Sequence, residues 1–255
     1  DSRTKIDLDV NIEKSSFLIP YQDIIDEPPT LEVTFDSLKI KSNPISKHDS
    51  LFDLYKLLID SLQMFFNNKE ITNKINIDSN IKYSIIQNYY EEPIQIDSKI
   101  SNVEASLTIN QAIILKHIFL YISDKLTEPA IIKMIKSLPI KFNMFRALFN
   151  IWSFSMSIFY EKRQLFSFSL KDTTSIDISN KKDTLKLSVL NNTGIEGLEY
   201  FSSDNHEFLN TKKFELKYQA NSQVDLIVDK IELFAKAVPL NFISVFAEFP
   251  IDYEW

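Results

Sequence analysis

Apolar and polar residues alternate along most of this chain. From Ile6 to Ile12 every second residue is aliphatic, with aspartate or asparagine between them. A period of two predicts a β-strand with one apolar face. The pattern runs on to Pro20, which ends the pairing because proline has no backbone N–H. A second run changes phase between Phe35 and Leu38, which predicts a β-bulge there.

The segment over residues 53–66 fits two patterns. Its leucines recur at helical spacing, whereas Leu57, Ile59 and, after a shift of one place, Leu62 alternate as they would in a strand. We predict a strand, because the neighbouring segments are strands.

A strand that leads directly into a helix ends each half of the chain. Alternation over 81–85 and 94–109 predicts two strands, and the second continues into an apolar helical stretch over 110–122, with Asn110 as the predicted N-cap. The second half repeats this order, with strands predicted over 152–160, 166–170, 185–189, 214–218 and 226–233 and a helix over 238–246. About five strands and a helix, found twice, predict an internal structural repeat.

The segment between the two copies has a different character. Pro129 suits a first helical turn, and phenylalanines up to Phe149 recur at helical spacing. We interpret this segment as a crossover. The predicted organisation is a first β module over 1–127 with a terminal helix, a crossover over 128–149 and a second β module with a terminal helix over 150–255.

Composition excludes several classes of function. The 255-residue chain is 44% hydrophobic and 25% charged, as is usual for a globular protein. Its net charge of −7 opposes binding to nucleic acid or to an anionic membrane by bulk electrostatics. The chain has no cysteine, which excludes disulfides, thiolate zinc sites and a cysteine nucleophile and fits a reducing compartment. Its two glycines are too few for a glycine-rich phosphate loop.

No segment predicts secretion or a membrane span. The most apolar helical run, over 112–122, is too short and is interrupted by Lys116 and His117. The chain does not begin with methionine, and we expect it to be a fragment of a longer protein.

The polar residues do not form a recognisable catalytic or metal-binding pattern. His48, His117 and His206 are scattered without ligand spacing, and the paired carboxylates of Asp7 and Asp9 lie on the polar face of a strand. Ordinary surface and core roles explain these residues. We therefore expect no enzymatic activity, no catalytic residue, no metal site and no cofactor.

The apolar faces of the predicted strands allow two interpretations. They could form the closed core of a sandwich or barrel, or one face of a continuous sheet could line an open groove for apolar chains. Burial of an acyl chain contributes about 0.8 kcal/mol per methylene. A groove lined only by aliphatic and aromatic side chains could therefore hold lipid without any polar motif.

Five runs in the first half favour the open groove. They are residues 6–20 (IDLDVNIEKSSFLIP), 29–42 (PTLEVTFDSLKIKS), 51–55 (LFDLY), 62–66 (LQMFF) and 100–109 (ISNVEASLTI). In order and spacing they resemble the chorein-type vacuolar protein sorting family of bridge-like lipid transfer proteins. The resemblance is clearest over the first half of the chain and continues as a pattern in the second half.

This resemblance implies a fold, a function and a location. The implied fold is mainly β with a few short helices: two repeating β-groove modules of about five antiparallel strands, each a curved, open sheet with an apolar concave face. The implied function is lipid transfer, with glycerophospholipid cargo carried along the groove between membranes. The implied location is cytoplasmic and peripheral, at organelle membrane contact sites, where other parts of the parent protein reach the membranes.

The resemblance also implies that alternate apolar side chains line the groove. The predicted lining residues are Ile6, Leu8, Val10, Val33, Phe35, Tyr83, Ile85, Leu107, Phe154, Met156, Phe168, Leu187, Leu216 and Leu233. The alternative is an adaptor-binding β-module or structural scaffold of a large peripheral membrane protein, which recruits partner proteins by strand addition or a surface pocket. Nucleic acid is not an expected partner.

Overall fold

Extended strands dominate the computed structural model, which describes residues 8–20, 30–43, 52–84, 93–126, 145–181, 184–201, 204–219, 224–228 and 231–233. The strands of the first half are β1 (Asp9–Pro20), β2 (Thr30–Asn43), β3 (Phe52–Phe66), β4 (Lys69–Glu70), β5 (Ile75–Ser84), β6 (Ile94–Ile100) and β7 (Val103–Thr108). Helix α1 (Ile109–Leu126) follows β7. The later strands are β8 (Phe145–Ile151), β9 (Phe154–Tyr160), β10 (Arg163–Leu170), β11 (Thr174–Lys181), β12 (Thr184–Asn191), β13 (Glu196–Phe201), β14 (Asp204–Thr211), β15 (Phe214–Gln219), β16 (Val224–Val228) and β17 (Ile231–Leu233).

The strands form two open sheets. The larger sheet has the order β1-β2-β3-β5-β6-β8-β11-β12-β15-β16, with β4 paired to β3. The smaller sheet has the order β7-β9-β10-β13-β14-β17. In neither sheet do the first and last strands pair with each other, so both sheets are open within the described ranges. The predicted mainly β, open fold class is confirmed.

The chain passes from one sheet to the other at a common bend. β6 continues as β7 and β8 as β9, and each later pair of consecutive strands likewise has one member in each sheet, in the same spatial order. Backbone hydrogen bonds continue across the bend, from Trp152 N to Ile100 O (3.0 Å) and from Val103 N to Ser153 O (2.9 Å). The two sheets are therefore two halves of one bent, hydrogen-bonded surface.

The first strands cross this bend without a break. Register shifts between Ile59 and Leu62 in the pairing of β3 with β5, and Ser61 there has a φ of 56°. β1, β2 and β3 keep one mutual register on both sides of the bend. The change of phase between Phe35 and Leu38 therefore occurs at the bend, where β1, β2 and β3 change together and stay in register. A bulge would shift β2 relative to its neighbours, so the prediction of a bulge in β2 was wrong. The prediction of a strand over 53–66 is confirmed.

Strand direction divides the surface into two groups of strands. Neighbouring strands are antiparallel within β1–β6 and within β8–β17, whereas β6 is parallel to β8 and β7 is parallel to β9. A parallel pair needs a crossover connection. The chain between Thr108 and Phe145, which includes α1, makes that connection.

Strand β8 begins inside the segment predicted as a crossover. Phe145 and Phe149 lie in this strand, with Ala147 and Ile151 at the same phase, so the helical interpretation of these phenylalanines was wrong. The period of two is visible only when Ala147 and Ile151 are considered together with the phenylalanines. Residues 127–144 and the helix predicted over 238–246 lie outside the described residues.

A capping box starts α1. The Thr108 hydroxyl accepts a hydrogen bond from Gln111 N (3.2 Å), and the Gln111 side-chain oxygen accepts one from Thr108 N (2.8 Å). These two bonds satisfy backbone donors at the helix start. Thr108 is therefore the N-cap, and the prediction of Asn110 was wrong.

A closed core lies where α1 packs on the smaller sheet. Its buried members are Leu31, Phe66, Ile71, Leu107, Ala112, Leu115, Ile118, Ile158, Phe166 and Phe208. Phe208 meets Phe166 and Phe168 edge to face, with ring centroids 6.3 and 5.4 Å apart. Gly197 makes room for this ring, because a Cβ there would lie 2.7 Å from it.

The turn between β12 and β13 requires the other glycine. The side-chain oxygen of buried Asn191 accepts hydrogen bonds from Thr193 N (2.9 Å) and Gly194 N (2.5 Å). Gly194 has a φ of 77°, which side-chain-bearing residues rarely adopt. A Cβ at this position would also overlap the carbonyl oxygen and hydroxyl of Thr211.

Replacing Gly194 with alanine should therefore destabilise the protein strongly. We expect Gly194→Ala to lower the free energy of unfolding by about 3 kcal/mol, since backbone strain and a backbone clash add. Urea denaturation followed by circular dichroism measures this. Asn192→Ala, at an exposed position of the same turn, should change stability by less than about 0.5 kcal/mol. Equal stabilities of the two variants would contradict this account of the turn.

Candidate functional site

One face of the larger sheet carries apolar side chains from nine neighbouring strands. Cross-strand pairing aligns Phe149 with Ile176, Ile176 with Val189, and Val189 with Leu216. We call this surface the apolar face. Its apolar members are Leu8, Val10, Ile12, Leu38, Ile40, Tyr55, Leu57, Ile59, Ile77, Ile81, Tyr83, Ile94, Ile96, Ile100, Phe145, Ala147, Phe149, Ile151, Ile176, Ile178, Leu185, Leu187, Val189, Phe214, Leu216 and Tyr218.

The opposite face of the same strands is mostly polar, although it also carries leucines such as Leu58 and Leu148. Ion pairs link neighbouring strands there, between Lys56 and Asp78 (3.2 Å) and between Arg146 and Asp177 (2.7 Å). These pairs are partly exposed and each contributes at most about 1 kcal/mol. These pairs show which way the strands face: because side chains alternate along a strand, the residues directly before and after each of these charges point to the other face.

The apolar face is only partly buried. Ile176, Ile178 and Val189 are half-buried, and Tyr218 at the strand ends is 38% exposed, whereas Ile158 in the closed core is fully buried. None of the members of the apolar face belongs to the closed core. In the described part of the chain, α1 packs mainly on β7 and β9 of the smaller sheet. Among the described residues, therefore, no second layer covers the apolar face.

Four polar side chains on this face bond to one another in two pairs. The hydroxyls of Ser79 and Ser98, on β5 and β6, lie 2.7 Å apart and are buried. Asn191 donates a hydrogen bond to the Thr174 hydroxyl (2.9 Å) on the neighbouring strand. These bonds satisfy the hydrogen-bonding groups of the four side chains. The four side chains therefore do not interrupt the apolar surface.

Five predicted lining residues lie on the apolar face. They are Leu8, Val10, Tyr83, Leu187 and Leu216, and all five are half-buried. Ile6 and Ile85 lie outside the described residues. Leu233 is in β17, and its side chain also lies outside the description.

The remaining predicted lining residues lie across the bend. Leu107 is in the closed core, and Val33, Met156 and Phe168 pack against it, so they do not line an open surface in the described structure. The cause is α1, which covers this part of the smaller sheet.

Phe35 and Phe154 are the last two of the predicted lining residues. Phe35 is 4% exposed and its ring is 6.0 Å from that of Phe17, while Phe154 is half-buried in β9 of the smaller sheet.

Sequence reasoning missed much of the surface that is open. Ile176 and Ile178 on β11 are central members of the apolar face, between Phe149 on one side and Leu187 on the other. The alternation of serine, isoleucine and aspartate over 174–181 carried the signal, but polar residues outnumber apolar ones there. The strand was therefore not predicted.

The described histidines lie outside the apolar face. His117 lies on α1 and His206 on β14, whereas His48 is outside the described ranges. Groups of three or more potential metal-ligating side chains were not found within the described residues. The described part of the chain also contains no helix that is long and apolar enough to span a membrane.

Comparison with known proteins does not assign this chain to a family: no protein-family model, curated protein or solved structure matches it significantly.

Truncating side chains should distinguish the covered surface from the open one. We expect Ile158→Ala, in the closed core, to lower the free energy of unfolding by about 3 to 4 kcal/mol, because it leaves a cavity. Ile178→Ala, on the apolar face, should cost about 1 kcal/mol, because its side chain is only half removed from water. Urea denaturation followed by circular dichroism measures both. Losses of equal size would show that the apolar face is covered.

Proposed function

We propose that this chain binds lipid acyl chains along the apolar face and acts as a segment of a lipid-transfer protein similar to the chorein-type family. The observation that carries the proposal is the continuity of half-buried apolar side chains across nine neighbouring strands. A closed core would bury these side chains, and an ordinary solvated face would carry polar ones.

The size of the surface suits several acyl chains. Nine strands at a spacing of about 4.8 Å extend for about 38 Å across the sheet. Each methylene moved from water onto an apolar surface contributes up to about 0.8 kcal/mol. Acyl chains lying across the strands would therefore be held without any specific polar contact, and they could slide from one strand to the next.

The order of the strands supports the relation to bridge-like proteins. That family implies modules of five antiparallel strands and a crossing segment, joined end to end. Here two antiparallel groups meet at one parallel junction, where β6 lies beside β8. The apolar face continues through this junction, because Ile96 is aligned with Ala147 and Ile100 with Ile151. Cargo could thus pass from one module to the next, in a cytoplasmic protein at membrane contact sites.

The purified protein should carry glycerophospholipid. We expect native mass spectrometry to detect bound phospholipid after purification, and delipidated protein to rebind it from vesicles of phosphatidylcholine. Ile178→Glu should reduce this loading at least about tenfold, because it places a carboxylate between Ala147 and Leu187 on the apolar face.

The matched control lies one residue away on the polar face. Ser179→Glu adds the same charge beside Arg146 and Lys186, and should leave lipid loading unchanged. Wild-type protein that rebinds no lipid would contradict the proposal, as would equal loading of the two variants when both are folded by circular dichroism.

A partner-binding module is the second candidate, and one observation favours it. β1 is an edge strand of the larger sheet and carries exposed apolar side chains, with Phe17 at 60% and Leu18 at 64% exposure. An edge strand offers unpaired backbone groups for strand addition by a protein partner.

Variants of β1 separate the two candidates. If lipid binding is the function, Leu18→Lys should leave phospholipid loading within about twofold of wild type, because Leu18 projects from the edge strand outside the apolar face. Native mass spectrometry of the loaded protein measures this. If strand addition is the function, the same substitution should weaken isolation of protein partners by the tagged chain, and Ile178→Glu should not.

A further inference from the structure

Asp53 is the one charged side chain among the described positions of the apolar face. It is aligned with Tyr83 across β3 and β5, and it lies two residues before Tyr55 on the same face of β3. The neighbouring described positions, Ser42 and Ile81, are uncharged. The cationic side chains of these strands, such as Lys56, belong to the opposite face, where Lys56 pairs with Asp78.

Asp53, Tyr55 and Tyr83 lie close enough to interact. Burial is the main cause that raises the pKa of the Tyr55 phenol, and the negative charge of Asp53 and the neighbouring Tyr83 raise it further. The phenol therefore stays protonated and neutral at physiological pH. All three side chains are half-buried, so they lie between the apolar surface and solvent.

This cluster lies at the ends of β3 and β5 that are farther from the bend. Asp53 is the second residue of β3, and Tyr83 is the last but one of β5. From here the apolar face extends through Leu57 and Ile59 toward the bend. A lipid with its acyl chains on the apolar face could thus place its headgroup at the solvent boundary, where tyrosine is favoured by its apolar ring and polar hydroxyl.

We propose that Asp53, Tyr55 and Tyr83 bind the ammonium group of a zwitterionic phospholipid headgroup. The proposal rests on the proposed lipid-binding function and adds a headgroup preference to it. An ammonium group is attracted to the faces of aromatic rings and to a carboxylate. A phospholipid with an anionic headgroup would instead meet the charge of Asp53 without a compensating cation on the described apolar face.

The second half of the chain provides an internal comparison. Tyr218 lies on the apolar face at the strand ends of β15, and it is aligned with Leu187. The described positions around it on this face carry no carboxylate; Asn180 and Leu185, paired across β11 and β12, are neutral. A tyrosine without the acid should not confer a preference for an ammonium headgroup.

Binding of two soluble lipids with the same acyl chain tests the proposal. The probes are dodecylphosphocholine and dodecylphosphoglycerol, each below its micelle-forming concentration, with the delipidated full chain and isothermal titration calorimetry. We expect wild type to bind the choline probe about threefold to tenfold more tightly. Asp53→Asn, which keeps the shape of the side chain, and Tyr55→Leu should abolish the preference. Tyr218→Leu should retain it.

The outcomes separate this proposal from the one on which it rests. If both probes bind equally to wild type, or if Asp53→Asn keeps the preference, the headgroup site is overturned and lipid binding stands. If neither probe binds, the proposed lipid-binding function fails. Competition by tetramethylammonium chloride identifies the source of the ammonium group. If this salt displaces the choline probe only weakly, and only when Asp53 is present, the result supports a headgroup site. Binding of tetramethylammonium as tight as that of the choline probe would show that the ligand is a free ammonium compound, and would overturn the lipid assignment.

Discussion

Register across a continuous sheet is the constraint on which the rest of this structure depends. Side chains alternate between the two faces of a strand, so one misaligned strand would interrupt the apolar face with charges. Over the apolar face the alignment is kept from β1 to β15, including the parallel junction between β6 and β8. The cross-strand ion pairs of the polar face agree with the same register. A face that stays apolar over this distance is the physical basis for the proposed acyl-chain surface.

The bend gives the two parts of the surface different environments. On one side, α1 fills the space over the smaller sheet, and Ile118, Ile158 and Phe166 form a closed core. On the other side, the larger sheet keeps its apolar face half-buried. The closed core stabilises the fold, since full burial of each large aliphatic or aromatic side chain contributes about 1.5 to 3 kcal/mol. The apolar face can therefore remain open for a ligand without loss of the fold.

Local patterns predicted much of this architecture. A period of two identified β1, β9 and most other strands, whereas the division into two modules stays a prediction. The capping box shows the limit of reading single residues: Asn110 is a good N-cap by type, but Thr108 and Gln111 make the reciprocal hydrogen bonds. Strands β11, β13 and β14 were not predicted, because apolar and polar residues alternate only weakly in them. Polar residues weaken the alternation, as do Gly197 and the irregular register between Gly197 and Leu198.

The site was predicted less well than the fold, for a physical reason. Alternation tells which side chains share a face, but it does not tell which face is covered. Leu107 and Leu187 have the same local pattern, yet Leu107 lies in the core with α1 and Leu187 is on the apolar face. That difference comes from where a distant helix packs. The sequence also shows Asp53 only as one of many acidic residues, and its isolation among apolar neighbours depends on cross-strand alignment.

The location of bound acyl chains tests the central claim most directly. Because the chain has no cysteine, a single bimane label can be placed at Ile178→Cys on the apolar face, or at Ser179→Cys on the polar face. Phosphatidylcholine with brominated acyl chains quenches such a label only in contact. The account predicts strong quenching at position 178 and little at 179. Equal quenching at the two positions, or none at either in lipid-loaded protein, would contradict it.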